Sequence, residues 1–109
     1  EGNPTDAAGA VGDLHWVGNY ISTIADDTGA VRVAYQDGTS LDLVYAVRGP
    51  GGWTLEILAR RLHGDAFDGN FGFFTDQVLL EAGTQAIVSN FKHNLRTDPW
   101  SSGIDLYLR

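Results

Sequence analysis

The chain has 109 residues, 43% hydrophobic and 19% charged, with a net charge of −7. That suits one domain with a modest core and excludes a disordered chain, and no run approaches the roughly 20 apolar residues that cross a bilayer. The seven Lys and Arg residues are scattered, with only Arg60 and Arg61 adjacent, so a phosphate-binding surface and a nucleic-acid partner are not expected.

Residues 1–13, "EGNPTDAAGAVGD", are small and rich in Gly and Ala, and read as a lead-in or linker. Short segments of period two follow, each bounded by Gly, Asp or Pro. Tyr20, Ser22 and Ile24 alternate with Ile21, Thr23 and Ala25 before the turn "DDTG". Val31, Val33 and Tyr35 form the next strand, and the Asp-Gly of "QDGTS" predicts a hairpin in which Gly accepts positive φ. Leu41, Leu43, Tyr45 and Val47 give a third strand, ended by "RGPGG". Trp53, Leu55 and Ile57 give a fourth. Part of "WTLEILARRLHG" also has helical spacing, but its Gly-Gly entry and early alternation favour strand through Leu58; "ARRLHG" stays open. The expectation is an antiparallel meander.

The pattern then repeats. Gly18 and Gly72 lie 54 positions apart, as do Gly29 and Gly83, and Val33 and Ala34 match Ile87 and Val88. Gly29 and Gly83 are therefore expected to hold positive φ in equivalent turns. After Val88 the short "QDGTS" is replaced by "FKHNLRTDPWSSG", read as a surface loop, and "LDLVY" returns as "IDLYL" at an offset of 63. A long loop insertion in a hairpin is thermodynamically mild.

Four short antiparallel strands in roughly 40 to 55 residues are the signature of a propeller blade. The stretch "VGNYISTIADDTGAVRVAYQDG…LDLVYA…GWTLEIL" resembles the blade repeat of extracellular bacterial β-propellers. The resemblance covers Gly18 to Leu58 well and Gly72 to Arg109 in part: Ser89 stands for Tyr35, Leu80 for Asp26, and no "W-T-x-E" strand follows Arg109. It implies an all-β fold of two blades, residues 14–60 and 61–109, the second lacking its outer strand, in a secreted or extracellular setting. It implies no activity.

Without Cys there are neither disulfides nor thiolate metal sites. Without Met, Glu1 is no retained translation start, which predicts a removed leader or a longer parent chain. His15, His63 and His93 have no metal-ligand spacing and read as surface residues. Asp26 and Asp27 with Gly29 read as a β-turn rather than half a calcium loop. Asp65, Asp68 and Asn70 are the better, still weak, candidate for calcium, because no bidentate Glu closes the loop. No nucleophile motif or phosphate-cradling loop is present, so an enzyme is not expected. Trp16, Tyr20, Phe73 and Trp100 are the candidate ligand-binding surface, whereas Trp53, Tyr45 and Phe74 are expected in the core between blades.

Together these residues predict a non-enzymatic binding or structural module, completed by other copies or by the rest of a parent protein. The alternative is a carbohydrate-binding lectin with sites at blade junctions and a glycan or protein ligand. No membrane span is expected.

Overall fold

The computed structural model describes residues 16–60, 62–63, 67–93 and 101–109. The chain is all-β, with no α-helix among the described residues. The first sheet is an antiparallel meander of β1 (Val17–Ala25), β2 (Val31–Asp37), β3 (Asp42–Gly49) and β4 (Gly52–Ala59). The second contains β6 (Phe67–Leu79), β7 (Gln85–His93) and β8 (Ser101–Leu108), with the two-residue β5 (Leu62–His63) paired to the start of β6. The "WTLEIL" segment is strand, as alternation favours. The lead-in 1–13, Asp65 and Trp100 lie outside the described residues.

The repeat is written into the backbone. Register pairs of β1 with β2, such as Asn19–Gln36 and Ser22–Ala34, recur 54 positions later as Phe73–Asn90 and Asp76–Val88. Gly18 and Gly72 hold φ of 89° and 81°, and the turn glycines Gly29 and Gly83 hold 82° and 79°. Tyr20 and Phe74, also 54 apart, take φ of 51° and 49°. Each first strand thus carries the same double irregularity, a bulge that turns an aromatic residue away from the ladder.

Three expectations need correction. The hairpin "QDGTS" does not place Gly38 at positive φ; Leu41 takes φ 62° instead. The Asp37 carboxylate accepts the N–H groups of Thr39 and Ser40, and Leu41 N–H bonds Asp37 O, which builds a wider turn than Asp-Gly alone. Gly38 serves close approach: a Cβ there would lie 2.7 Å from Asn19 Nδ2 and 3.1 Å from Trp16 O. Second, the insertion after β7 is not all loop. Phe91, Lys92 and His93 pair with Gly103, Ser102 and Ser101, so the hairpin is lengthened as a ladder. Gly103 lets the Phe91 ring lie close to the backbone: a Cβ there would be 2.6 Å from the ring, which would have to swing aside. Third, the offset between β3 and β8 is 61: Tyr45 pairs Ala34 where Leu106 pairs Val88, and Val47 pairs Arg32 where Leu108 pairs Ala86.

The core lies between the sheets. Ala34, Tyr45 and Ile87 form one buried cluster, with Leu58 and Tyr107 against it; Leu43, Ala59 and Phe71 form another. Burying Leu43 and Ile87 completely contributes about 1.5–3 kcal/mol each. Burial pushes the Tyr107 phenol up to about 12, with the Asp105 carboxylate adding to the shift. A polar network crosses the same interface. The Gln85 side-chain carbonyl accepts from Tyr45 OH and from Arg32 Nη1, its amide donates to Gln77, and Gln77 Nε2 donates to Ser22 O and Arg32 O. At its margin Arg109 forms a two-pronged ion pair with Glu56 at 2.6 and 3.0 Å.

The two sheets stack head to tail. Sheet one presents Ala34 and Tyr45, whose equivalents Val88 and Leu106 lie on the outer face of sheet two. Sheet two presents Ile87, whose equivalent Val33 lies on the outer face of sheet one. A two-fold would bring the same face of each repeat together. Here opposite faces meet.

Candidate functional site

Among the predicted ligand-binding residues, the fold brings Tyr20 and Phe73 together. The bulges of β1 and β6 carry Tyr20 over the second sheet, where its ring lies edge-on to Phe73 with centroids 5.5 Å apart and tilted to Phe74 at 5.0 Å. Holding Tyr20 and Phe74 at positive φ costs about 1–3 kcal/mol each, and such strain gathers at binding sites. Beside Phe73 is an open groove of about 320 Å³ lined by Asn70, Phe73, Lys92 and Ser102. Lys92 Nζ stands 5.4 Å from the Phe73 ring centre, within cation–π range. An exposed aromatic cluster next to an amide, an ammonium and a hydroxyl can stack on an apolar ring face while bonding hydroxyl groups.

Trp16 is 73% exposed and is anchored by its neighbours: its backbone N–H donates to Thr39 Oγ1 at 2.7 Å and its indole N–H to Asn19 Oδ1 at 3.2 Å. Lys92 and Ser102 fall in the stretch whose sequence reads as a surface loop and carries no site signal; their place on one face follows only from the lengthened β7–β8 ladder. Asn70, the weak cation candidate that lies among the described side chains, lines this groove.

Of the three residues expected in the core, Tyr45 is buried, while Trp53 is 51% and Phe74 69% exposed. Trp53 sits on the face of sheet one that sheet two does not cover. There it joins Val17, Ile21, Val33, Tyr35 and Leu55 around a groove of about 330 Å³. Phe74 is turned out by its bulge.

Among the described residues, no group of carboxylates converges on one centre. Asp76 accepts from the Ser22 hydroxyl at 3.3 Å and Asp105 from the Tyr107 hydroxyl at 3.1 Å, on strands β6 and β8 that flank β7. No group of three or more metal-ligating side chains occurs among the described residues. Asp68 falls in β6, His63 in β5 and His93 in β7; His15 lies outside the described residues.

Asp26 is occupied by its turn. Its carboxylate accepts from the Thr28 hydroxyl and N–H, the Ala30 N–H and the Arg32 guanidinium, and Gly29 N–H bonds its carbonyl. The Thr28 hydroxyl first, then Arg32, holds this carboxyl well below the usual carboxylate range. A depressed folded pKa gives stability that is present above the unfolded value and is lost as pH falls below it. Asp26→Asn is therefore expected to flatten the fall in urea midpoint between about pH 5 and pH 2. An unchanged acid slope would mean that the turn does not hold the ionised form.

No family model, curated protein or solved structure matches this chain.

Proposed function

We propose that the chain is a non-enzymatic binding and structural module, two blades of a secreted β-propeller completed by other copies or by the rest of a parent chain. The head-to-tail stacking of equivalent sheets carries this reading. Such stacking leaves one sheet face unmatched at each end, and a repeated head-to-tail contact closes into a ring when its rotation allows. Ile104, Leu106 and Leu108 are 71%, 61% and 56% exposed on one outer face, and Ile21, Trp53 and Leu55 are exposed on the other. Contiguous apolar surface of this kind marks an interaction site. Size-exclusion chromatography with light scattering tests the reading: an assembly is expected, and a well-folded, monodisperse 11.8 kDa monomer would overturn completion by other copies.

The edge of β8 gives a second test. Its pairing is with β7, and its other side carries no ladder among the described residues, whereas the corresponding side of β3 pairs with β4. Bare apolar edges are rare in native proteins. The alternate amides of residues 104–108 that point away from β7 should be protected from hydrogen exchange in the assembly. Exchange within seconds would mean that no strand completes the sheet.

The Tyr20–Phe73–Phe74 cluster with its polar groove favours a second reading, a lectin that binds one sugar per blade junction. A glycan array probed with the assembled protein should then show hits that Tyr20→Ala abolishes; silence across a broad array would leave the scaffold role alone.

A further inference from the structure

Resting on the ring reading, we propose that the outer face of β6–β8 docks head to tail on the outer face of β1–β4 in a second copy of this chain. The contact between the two sheets within one chain supplies the template, because each outer face is the repeat-equivalent of a face buried there.

The residues of the two outer faces differ in the same sense from their buried equivalents. Inside the chain, Arg32 and Tyr45 on sheet one meet Gln77 and Gln85 on sheet two. The equivalents of the first pair, on the outer face of sheet two, are Ala86 and Leu106. The equivalents of the second pair, on the outer face of sheet one, are Thr23 and Val31. A buried polar network kept on one side only would leave unpaired donors and acceptors, each costing about 1–3 kcal/mol. Here neither side carries it: Ala86 and Leu106 face Val31 and Thr23, whose hydroxyl is the one polar group among the four.

A third correspondence concerns glycine. Gly72 lies so close to sheet one that a Cβ would be 2.9 Å from Gln36 Cβ and 3.1 Å from its Cα, while Gln36 Nε2 donates to Phe71 O. Gly18, the equivalent of Gly72, has nothing within 4 Å of the same position and lines the open groove on the outer face. Asn90, the equivalent of Gln36, keeps a side-chain amide on the outer face of sheet two and is exposed. In the docked pair the partner's Asn90 takes the place over Gly18 that Gln36 takes over Gly72, donating to Val17 O.

Two single variants test the arrangement, each at an exposed position that the monomer's own fold does not bury: Leu106→Glu on one face and Leu55→Glu on the other. Burying an unpaired carboxylate should weaken the contact by more than about a hundredfold, so each variant alone should elute at monomer mass with the wild-type circular dichroism spectrum. Mixed in equal amounts, the two should form a dimer of one copy each, because each retains the face the other has lost. Ile104→Lys in place of Leu106→Glu should behave identically and guards against a local folding defect. If the wild type assembles but either variant alone keeps its full size, or the mixture stays monomeric, the head-to-tail pairing of copies is overturned while the module reading stands. A monomeric wild type likewise overturns the pairing of copies, and leaves completion by the rest of a parent chain as the module reading.

Discussion

Gly72→Ala should destabilise the protein by about 2–4 kcal/mol, well beyond the effect of Gly83→Ala. Both glycines hold nearly the same backbone, φ 81° and 79°, so the strain of placing an L side chain there is shared, at about 1 kcal/mol. Their surroundings differ. A Cβ on Gly83 meets nothing within 4 Å, whereas on Gly72 it meets the Cβ and Cα of Gln36, atoms that yield only if β2 and β6 move apart. Moving them strains the Gln36 bond to Phe71 O and the Phe71 N–H bond to Leu41 O, both of which join the two sheets. Urea unfolding at one fixed protein concentration gives the comparison. Equal losses for the two variants would mean that the sheets do not pack as closely at Gly72 as described.

Gln85→Leu should cost about 3–5 kcal/mol despite preserving volume and adding apolar character. Gln85 is fully buried and is the hub of the network between the sheets: its carbonyl serves both Tyr45 OH and Arg32, and its amide serves Gln77. Leucine leaves the Tyr45 hydroxyl without its acceptor and the Gln77 carbonyl without its donor, both away from water. Adding Tyr45→Phe and Gln77→Leu, which remove the stranded groups, should restore part of the loss, and a double-mutant cycle measures the coupling. Strict additivity across the three sites would show that they do not act as one network.

Much of the local structure was legible. Alternation with turn residues marked the strands of the first meander, since a pleated strand exposes its two faces with period two. Paired glycines 54 residues apart revealed the repeat, because Gly29 and Gly83 occupy turns that require positive φ. Asp26 announced its turn by a carboxylate spaced to cap its own backbone. The misreadings have physical causes. "IDLYL" was matched to "LDLVY" by residue type, but register is fixed by cross-strand hydrogen bonds, and those set the offset at 61. Nothing in a tyrosine or phenylalanine codes for φ near 50°, so the bulges that expose Phe74 and join Tyr20 to Phe73 had no signal.

The sequence by itself determined an all-β chain built from two equivalent meanders, because strand periodicity and turn chemistry are local properties. Tertiary structure decided which face meets which. Leu43, Val44, Tyr45 and Ala46 are four consecutive buried residues, so β3 is apolar toward both sides and its pattern cannot name the covered one. Nor does the sequence distinguish Gly18 from Gly72, whose backbones match. Only the packing of β6 against β2 leaves one open and presses the other onto Gln36. The choice rests on the Arg32–Tyr45–Gln77–Gln85 bonds, contributed by strands distant along the chain, and such long-range satisfaction of buried polar groups exists only once the sheets have come together.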